Sequence, residues 1–178
     1  MLVFTDGSHS LKPRMSGLGA VIISGDKEHH IGAYNDECRD NNVAELAAIA
    51  MSIKFIRKHK LDEAEDCKTI NIISDSSYAL RKITQNGMPK DEYEKKILDY
   101  IHNFINLSKK RVSFMQVKGH IHDGSKLSTY NNLADIIAGD YRLLGLELYR
   151  ANPHCKGNKK GKKKWKKFKS TTFFNDGR

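Results

Sequence analysis

Four acidic residues that are far apart in the sequence each lie inside or directly beside an apolar segment. They are Asp6, Glu45, Asp75 and Asp135. A single acid in such a place is ordinarily explained by a helix cap or an ion pair, because an unpaired buried charge costs several kcal/mol. Four acids in matching places instead predict a fold that gathers them around cations, which would offset their mutual repulsion. All of their ligand atoms are oxygens, so Mg²⁺ or Mn²⁺ is the expected ion.

Length and composition predict one compact domain in an ordinary soluble class. The chain has 178 residues, of which 39% are hydrophobic, enough for a proper core. No apolar run approaches the roughly 18 residues that a membrane span needs, and the first residues do not resemble a signal peptide. Three cysteines without paired spacing argue against a disulfide framework or a zinc site. We therefore expect a cytoplasmic monomer with no membrane contact.

The positive charge of the chain is concentrated at its C-terminal end. The formal net charge is +10, and residues 156–178 hold ten Lys or Arg against one Asp, a net +9. The first 155 residues therefore account for only +1. This change in composition predicts a catalytic domain at residues 1–150 and a lysine-rich, flexible extension at 151–178, because like charges repel one another.

The apolar pattern predicts five strands and four helices. The strands are expected at residues 1–6, 19–24, 30–34, 69–74 and 111–117, and the helices at 42–59, 76–84, 91–105 and 131–144, with a polar loop at 7–17. The first three strands form an antiparallel meander, and strand–helix–strand crossovers place strands 4 and 5 parallel to strand 1. The expected fold is α/β, with a mixed five-stranded sheet flanked by helices.

This fold would bring the four acids to one edge of the sheet. Asp6 and Asp75 end strands that can lie side by side, and open α/β sheets place their sites at such ends. Glu45 and Asp135, each near the start of a helix, can point at the same edge. Local roles stay open beside this one, because Asp75 can cap the helix that follows it and Asn42 can form a capping box with Glu45.

Five segments match, in order and near spacing, the motifs of the type 1 ribonucleases H, which cleave the RNA strand of RNA–DNA hybrids. They are FTDGS at residues 4–8, NNVAEL at 41–46, SDSSY at 74–78, VKGH at 117–120 and NNLAD at 131–135. Residues 1–145 thus resemble this family. The resemblance implies a ribonuclease H-like fold and an endonuclease that hydrolyses the RNA strand of hybrids to leave 5′-phosphate and 3′-hydroxyl ends.

The resemblance also implies how the chemistry is done. The four acids would hold two divalent ions at the scissile phosphate, Mg²⁺ with Mn²⁺ as a substitute, and Asp6 would bridge both. One ion would activate a water and the other would neutralise charge on the leaving oxygen. His120, in the loop after the last strand, is expected to move a proton or assist product departure, with His122 as the alternative.

A set of polar residues is implied to bind the substrate. The set is Gly7, Ser8, Lys12, Asn41, Asn42, Ser77 and Asn131. The two adjacent asparagines are expected to read 2′-hydroxyls, the groups that distinguish RNA from DNA. A helix-cap role is their structural alternative.

Three positions depart from the family pattern. Lys12 stands where asparagine is usual, Ser77 where glutamine is common, and Asp40 where a threonine helps to hold a DNA phosphate. An acid in a phosphate pocket is unfavourable, so we expect the DNA strand to be held by Lys12, Arg14 or the extension.

The extension combines cations with aromatic rings. The residues expected to contact nucleic acid are Lys163, Lys164, Trp165, Lys166, Lys167 and Phe168. Lysines bind phosphates without regard to sequence, and aromatic rings stack on bases. The extension therefore predicts contacts to a nucleic-acid backbone, with a solubilising or localising role as the alternative.

Two rival functions share the expected fold. A transposase- or integrase-like nuclease normally needs a final glutamate where Asp135 stands, together with further DNA-binding domains. A non-catalytic hybrid-binding module would not need all four acids. Both remain alternatives to the hybrid nuclease.

Overall fold

A five-stranded sheet with helices on both faces forms the structure, a computed structural model that describes residues 1–119 and 123–151. The strands are β1 (Leu2–Leu11), β2 (Arg14–Ser24), β3 (Lys27–Asn35), β4 (Thr69–Ser74) and β5 (Arg111–Gln116). The helices are α1 (Asn41–Lys58), α2 (Ser77–Thr84), α3 (Glu92–Leu107) and α4 (Lys126–Ala151), and a 3₁₀ turn lies at Leu61–Glu63. Within these residues no helix has the length and apolar character needed to cross a membrane.

The sheet has the predicted mixed topology. Its strand order is β3-β2-β1-β4-β5, with β1, β2 and β3 antiparallel and β4 and β5 parallel to β1. The pairing of β1 with β4 ends at Phe4 and Ile73. Asp6 and Asp75 therefore lie just beyond the point where two central parallel strands separate. Such a point is where open α/β sheets form their clefts.

Alternate residues of β1 face two different cores. Val3 packs in the larger cluster with α1 and α3, whereas Phe4 packs in the smaller cluster that contains Ala134 of α4. Both side chains are fully buried. This alternation, a property of every strand, places α4 on the opposite face of the sheet from α1.

Two glycines bring α4 unusually close to β2. A Cβ atom at Gly19 would lie 2.2 Å from the carbonyl oxygen of Ala134, and one at Gly17 would lie 1.8 Å from that of Ala138. Only a residue without a side chain permits this backbone-to-backbone packing. It fixes the height of Asp135, which follows Ala134, above the sheet.

Two predicted boundaries are wrong. Residues 7–17 are not a loop, because β1 continues to Leu11 and pairs with β2 down to Arg14 across a turn at Lys12 and Pro13. Pairing satisfies the backbone of this polar stretch, so its composition does not prevent strand formation. The last helix begins at Lys126 rather than residue 131, which leaves Asp135 well inside it. The neighbours on the sheet, rather than the helix start, position this acid.

The predicted caps are also wrong. Asp40, not Asn42, caps α1, and its carboxylate accepts a first-turn N–H at 3.0 Å. Ser76, not Asp75, caps α2 through a hydrogen bond of 3.2 Å. Glu45 and Asp75 therefore do not serve as caps.

Candidate active site

The polar cleft at the C-terminal edge of β1 and β4 is the candidate active site. It has a volume of about 470 Å³ and is lined by Asp6, Gly7, Ser8, His9, Asn41, Asn42, Glu45, Asp75, Ser76, Ser77, Tyr78 and Asp135. All four predicted acids are therefore in one place. Four separate elements supply them, namely β1, α1, the end of β4 and α4.

Most of the predicted substrate residues also line the cleft, but two do not. Lys12 is exposed at the turn between β1 and β2. Asn131 is 2% exposed on α4, one turn before Asp135, and its Oδ1 atom has no hydrogen-bond partner among the described residues. Asn131 is therefore shielded from the cleft surface, whereas Asn41 and Asn42 lie on it.

Three of the four carboxylates are close enough to share an ion. Asp6, Glu45 and Asp75 each offer one oxygen, and these oxygens all lie within 4.8 Å of one another. Asp6 is 6% exposed and Glu45 is 5% exposed. The fourth acid, Asp135, forms a side-chain hydrogen bond with Asp6. A hydrogen bond between two carboxyl groups requires a proton between them, which a cation can replace.

Gly7 makes the approach of α1 to β1 possible. A Cβ atom at this position would lie 2.4 Å from the backbone nitrogen of Glu45 and 2.5 Å from the carbonyl carbon of Ala44. The backbone N–H of Gly7 also faces the carboxylates of Asp6 and Glu45 and acts to lower the pKa of both, against the larger effect of burial. The motif glycine therefore sets the distance between two of the acids.

Burial and repulsion favour the protonated forms of the two most buried acids. Burial, followed by the charges of Asp75 and Asp135, raises the pKa of Asp6 to about 8. Burial and the charges of Asp6 and Asp75 raise the pKa of Glu45 well above its ordinary value. The cation-free site is therefore electrostatically unfavourable at neutral pH.

We expect the metal-free protein to lose stability as the pH rises. The pKa of Asp6 is about 8 in the folded protein and has an ordinary value of 3.8. The unfolded chain therefore releases this proton at a lower pH, and stability falls between pH 4 and pH 8. The melting temperature in EDTA should fall between pH 5.5 and pH 8, and saturating Mg²⁺ should reduce the fall. The Asp6→Asn variant is the reference, because histidines also titrate in this range. An equal fall in both proteins would contradict the prediction.

The donor set fits a hard divalent cation. All candidate ligands are carboxylate oxygens, which Mg²⁺ and Mn²⁺ prefer. Oε2 of Glu45 is buried and has no hydrogen-bond partner within the described ranges, whereas Oε1 accepts a hydrogen bond from the Asn41 amide at 3.4 Å. A buried carboxylate oxygen without a partner is costly, and coordination to a cation would satisfy it.

Sequence reasoning missed three residues of the cleft. His9 lies on β1, where its Nδ1 is 2.8 Å from Ser16 Oγ, and its Nε2 is buried without a partner among the described residues. Ser76 and Tyr78 also line the cleft. The prediction of a loop at 7–17 hid His9. In a strand, His9 shares a face with Gly7, two residues before it, and that face packs against α1. Ser76 and Tyr78 belong to the SDSSY motif at residues 74–78, but no role was predicted for them.

A partly buried ion-pair network centred on Arg39 lies beside the cleft and includes Asp40. Arg39 binds the carboxylates of Asp40 at 3.0 Å and Glu94 at 2.7 Å, and it also pairs with Asp91. Glu94 is fully buried and accepts a hydrogen bond from the Tyr78 hydroxyl at 2.6 Å. Arg39 therefore lies beside the charge of Asp40 but is shared with two other carboxylates, so it offsets that charge only in part.

Some predicted residues lie outside the described residues. They are His120, His122 and the six residues of the extension, Lys163, Lys164, Trp165, Lys166, Lys167 and Phe168. Gly119 is described, and a Cβ atom there would lie 2.3 Å from Oδ2 of Asp75. The chain thus reaches the cleft one residue before His120.

Comparisons with known proteins agree with this geometry. The family model described as RNase H matches residues 1–142. The curated ribonuclease H of Acetivibrio thermocellus is 26% identical over 148 residues, which cover 78% of this chain and 91% of the relative. That of Chlorobium phaeobacteroides is 28% identical over 148 residues, with coverage of 78% and 92%.

Solved structures show the same fold. RNase H1 from the halophilic archaeon Halobacterium salinarum superposes with a TM-score of 0.59 at 18% identity, covering 79% of this chain and 95% of that chain. LC11-RNase H1, isolated from compost by a metagenomic approach and solved in complex with an RNA/DNA hybrid, superposes with a TM-score of 0.63 at 21% identity. The coverage in that comparison is 82% of this chain and 98% of the other.

Proposed function

Because this chain belongs to the RNase H family, whose model matches residues 1–142, we propose that it hydrolyses the RNA strand of RNA–DNA hybrids with the help of divalent metal ions. One observation carries the proposal. Asp6, Glu45 and Asp75 bring carboxylate oxygens within 4.8 Å of one another in an open polar cleft. The similar LC11-RNase H1 was solved in complex with an RNA/DNA hybrid, which supports the substrate class.

The four acids have a shared task in the proposed reaction. Asp6, Glu45, Asp75 and Asp135 would hold two Mg²⁺ ions, for which Mn²⁺ can substitute. When bound, the ions supply an activated water and neutralise charge on the leaving oxygen. The acids must be ionised to act as ligands, and the raised pKa values of Asp6 and Glu45 mean that ion binding releases protons. The products would be 5′-phosphate and 3′-hydroxyl ends.

The residues around the acids would orient the hybrid. Asn41 is exposed at the first turn of α1 and donates to Glu45 at 3.4 Å, so it can couple recognition of a sugar hydroxyl to the position of a metal ligand. Asn42, Ser8 and Ser77 line the same cleft and offer neutral donors and acceptors. Such groups suit 2′-hydroxyls, which RNA alone presents.

Two parts of the proposal concern residues outside the described ranges. His120 is proposed to move a proton or to help the product leave, with His122 as the alternative. The lysine-rich extension is proposed to bind a nucleic-acid backbone, and its interleaved Trp165 and Phe168 to stack on bases. The sequence alone supports both roles.

A cleavage assay tests the proposal. The full chain with Mg²⁺ or Mn²⁺ should cut the RNA strand of an end-labelled hybrid, and EDTA should abolish cutting. Duplex DNA of the same sequence should be cut at least about 10³-fold more slowly, because a site that binds a hydroxyl rejects an analogue without it. Cleavage of duplex DNA at a similar rate would favour the transposase- or integrase-like alternative. Hybrid binding without cleavage in either metal would favour the non-catalytic module.

A further inference from the structure

We infer that Arg142 is a phosphate contact on the α4 side of the cleft, held in place by Ser8. The inference rests on the proposed function, since it assigns a new contact for the backbone of the same nucleic-acid substrate. Arg142 and Ser8 are separate from the four acids that are proposed to hold the metal ions. Arg142 follows all five motifs that carry the family resemblance.

Helix and strand geometry place Arg142 beside the acids. It lies on α4 seven residues after Asp135, which is about two helical turns and returns to the same face. Ser8 lies two residues after Asp6 on β1, and residues two apart in a strand share a face. The Nε of Arg142 donates to Ser8 Oγ at 2.9 Å. The guanidinium therefore lies beside the cleft, two residues farther along β1 than Asp6.

The packing of α4 on β2 agrees with this placement of Arg142. Gly19 lies against Ala134 and Gly17 lies against the backbone nitrogen of Arg142, while Gly19 pairs with Asp6 and Gly17 pairs with Ser8. Helix α4 therefore runs parallel to β1. Asp135 is level with Asp6, and Arg142 is level with Ser8.

The positive charge of Arg142 has no acidic partner in the described part of the chain. Arg142 donates a hydrogen bond to a neutral hydroxyl through Nε, and none of the ion pairs between the described residues includes it. The two terminal nitrogens keep four N–H donors. A planar fork of this kind matches the oxygens of a phosphate.

A second cation strengthens the positive field at this end of β1. Burial lowers the pKa of the His9 ring, and the charges of Arg14, on β2, and Arg142 lower it further. Asp40 acts on the same ring in the opposite direction, but it is paired with Arg39. A backbone that passes over four acids would gain most from a cation at the point where it leaves them.

The matched variants are Arg142→Ala and Arg150→Ala. Both remove one arginine from α4, and Arg150 is exposed near the end of the helix, farther along it from Asp135. Fluorescence anisotropy would give Kd for a labelled RNA–DNA hybrid from 50 to 200 mM salt, with Asp6→Asn present throughout to prevent cleavage. We expect Arg142→Ala to raise Kd about tenfold relative to Arg150→Ala. The salt slope should fall by about 1, the value for one lost phosphate contact.

Arg142→Lys provides a variant that keeps the charge. It should retain the salt slope but bind more weakly than arginine, because an ammonium cannot form the bidentate contact. In the cleavage-competent chain, Arg142→Ala should raise KM and spare kcat. Equal Kd values and salt slopes for Arg142→Ala and Arg150→Ala would overturn the inference, whether or not the chain cleaves hybrids. If the parent chain binds hybrids through Arg142 but never cleaves them, the proposed function is refuted and the Arg142 contact is not.

Discussion

Replacing Asp6 with asparagine is expected to lower kcat for hybrid cleavage by at least about 10³-fold, equivalent to about 4 kcal/mol of transition-state stabilisation. Asp6 is the acid at the centre of the site, because its carboxylate meets those of Glu45 and Asp75 and forms a hydrogen bond with Asp135. An amide removes one negative ligand and leaves the volume of the side chain unchanged. Single-turnover cleavage of a labelled hybrid in Mg²⁺ measures the effect.

The same substitution should stabilise the metal-free fold, which separates loss of function from loss of structure. Burial and neighbouring charges raise the pKa of Asp6 to about 8, so removal of its charge relieves repulsion. The melting temperature in EDTA at pH 8 should rise while activity disappears. Asp99→Asn, at an exposed acid of α3, is the matched control and should change neither quantity. Activity within tenfold of the parent in Asp6→Asn would contradict the assignment of Asp6.

The second large effect is expected at Glu94, which is outside the cleft. Glu94→Gln should lower the free energy of unfolding by about 3 kcal/mol, the scale for removing one partner of a buried ion pair. Its carboxylate is fully buried and accepts hydrogen bonds from Arg39 at 2.7 Å, Tyr78 at 2.6 Å and the backbone of Lys90 at 2.9 Å. An amide carries no charge, so the Arg39 guanidinium would lose its buried partner.

The pH dependence of this contribution follows from the pKa of Glu94. Burial alone raises this pKa, but the hydrogen bonds from Tyr78, Arg39 and Lys90 outweigh burial and hold it at about 2, below the ordinary value of 4.5. The stabilisation is therefore fully present above pH 4.5 and is lost as the pH falls toward 2. Urea unfolding at pH 7 and pH 3 measures it.

Glu92→Gln is the matched control for Glu94→Gln. Glu92 is an exposed acid in the first turn of the same helix, and its replacement should change the unfolding free energy by no more than about 0.5 kcal/mol. If Glu94→Gln had an effect as small as this at pH 7, the network would not be a source of stability.

The order of the elements and the identity of the four acids could be predicted because both depend on local pattern. Short apolar runs define the start of β1 and β4, and the crossover rule for parallel strands places their ends side by side. Asp6 and Asp75 follow these strands directly. The position of Glu45 also follows from the start of α1. These are short-range features, and a linear sequence displays them.

The residue pattern did not predict where the backbone pairs or which side chains meet across the fold. Residues 7–17 look like a loop because they are polar and contain glycine and proline, although Leu11 pairs with Arg14 in a hairpin. The cap of α1 is Asp40 rather than Asn42, since the cap is the residue whose backbone is extended. The pairing of Arg39 with Glu94 spans 55 positions, and no pattern indicates it.

The sequence by itself determined which acids the fold would gather into one cleft, because an acid beside an apolar strand or helix is costly wherever the chain folds. Only the tertiary structure determined the pKa of these acids and the side chains that surround them. The pKa of Asp6 rises to about 8 because burial and the charges of Asp75 and Asp135 act together. Electrostatic energies depend on distance and on exposure to water, and both are set when β1, α1, β4 and α4 pack together. The same packing placed Arg142 against Ser8, a contact across 134 positions.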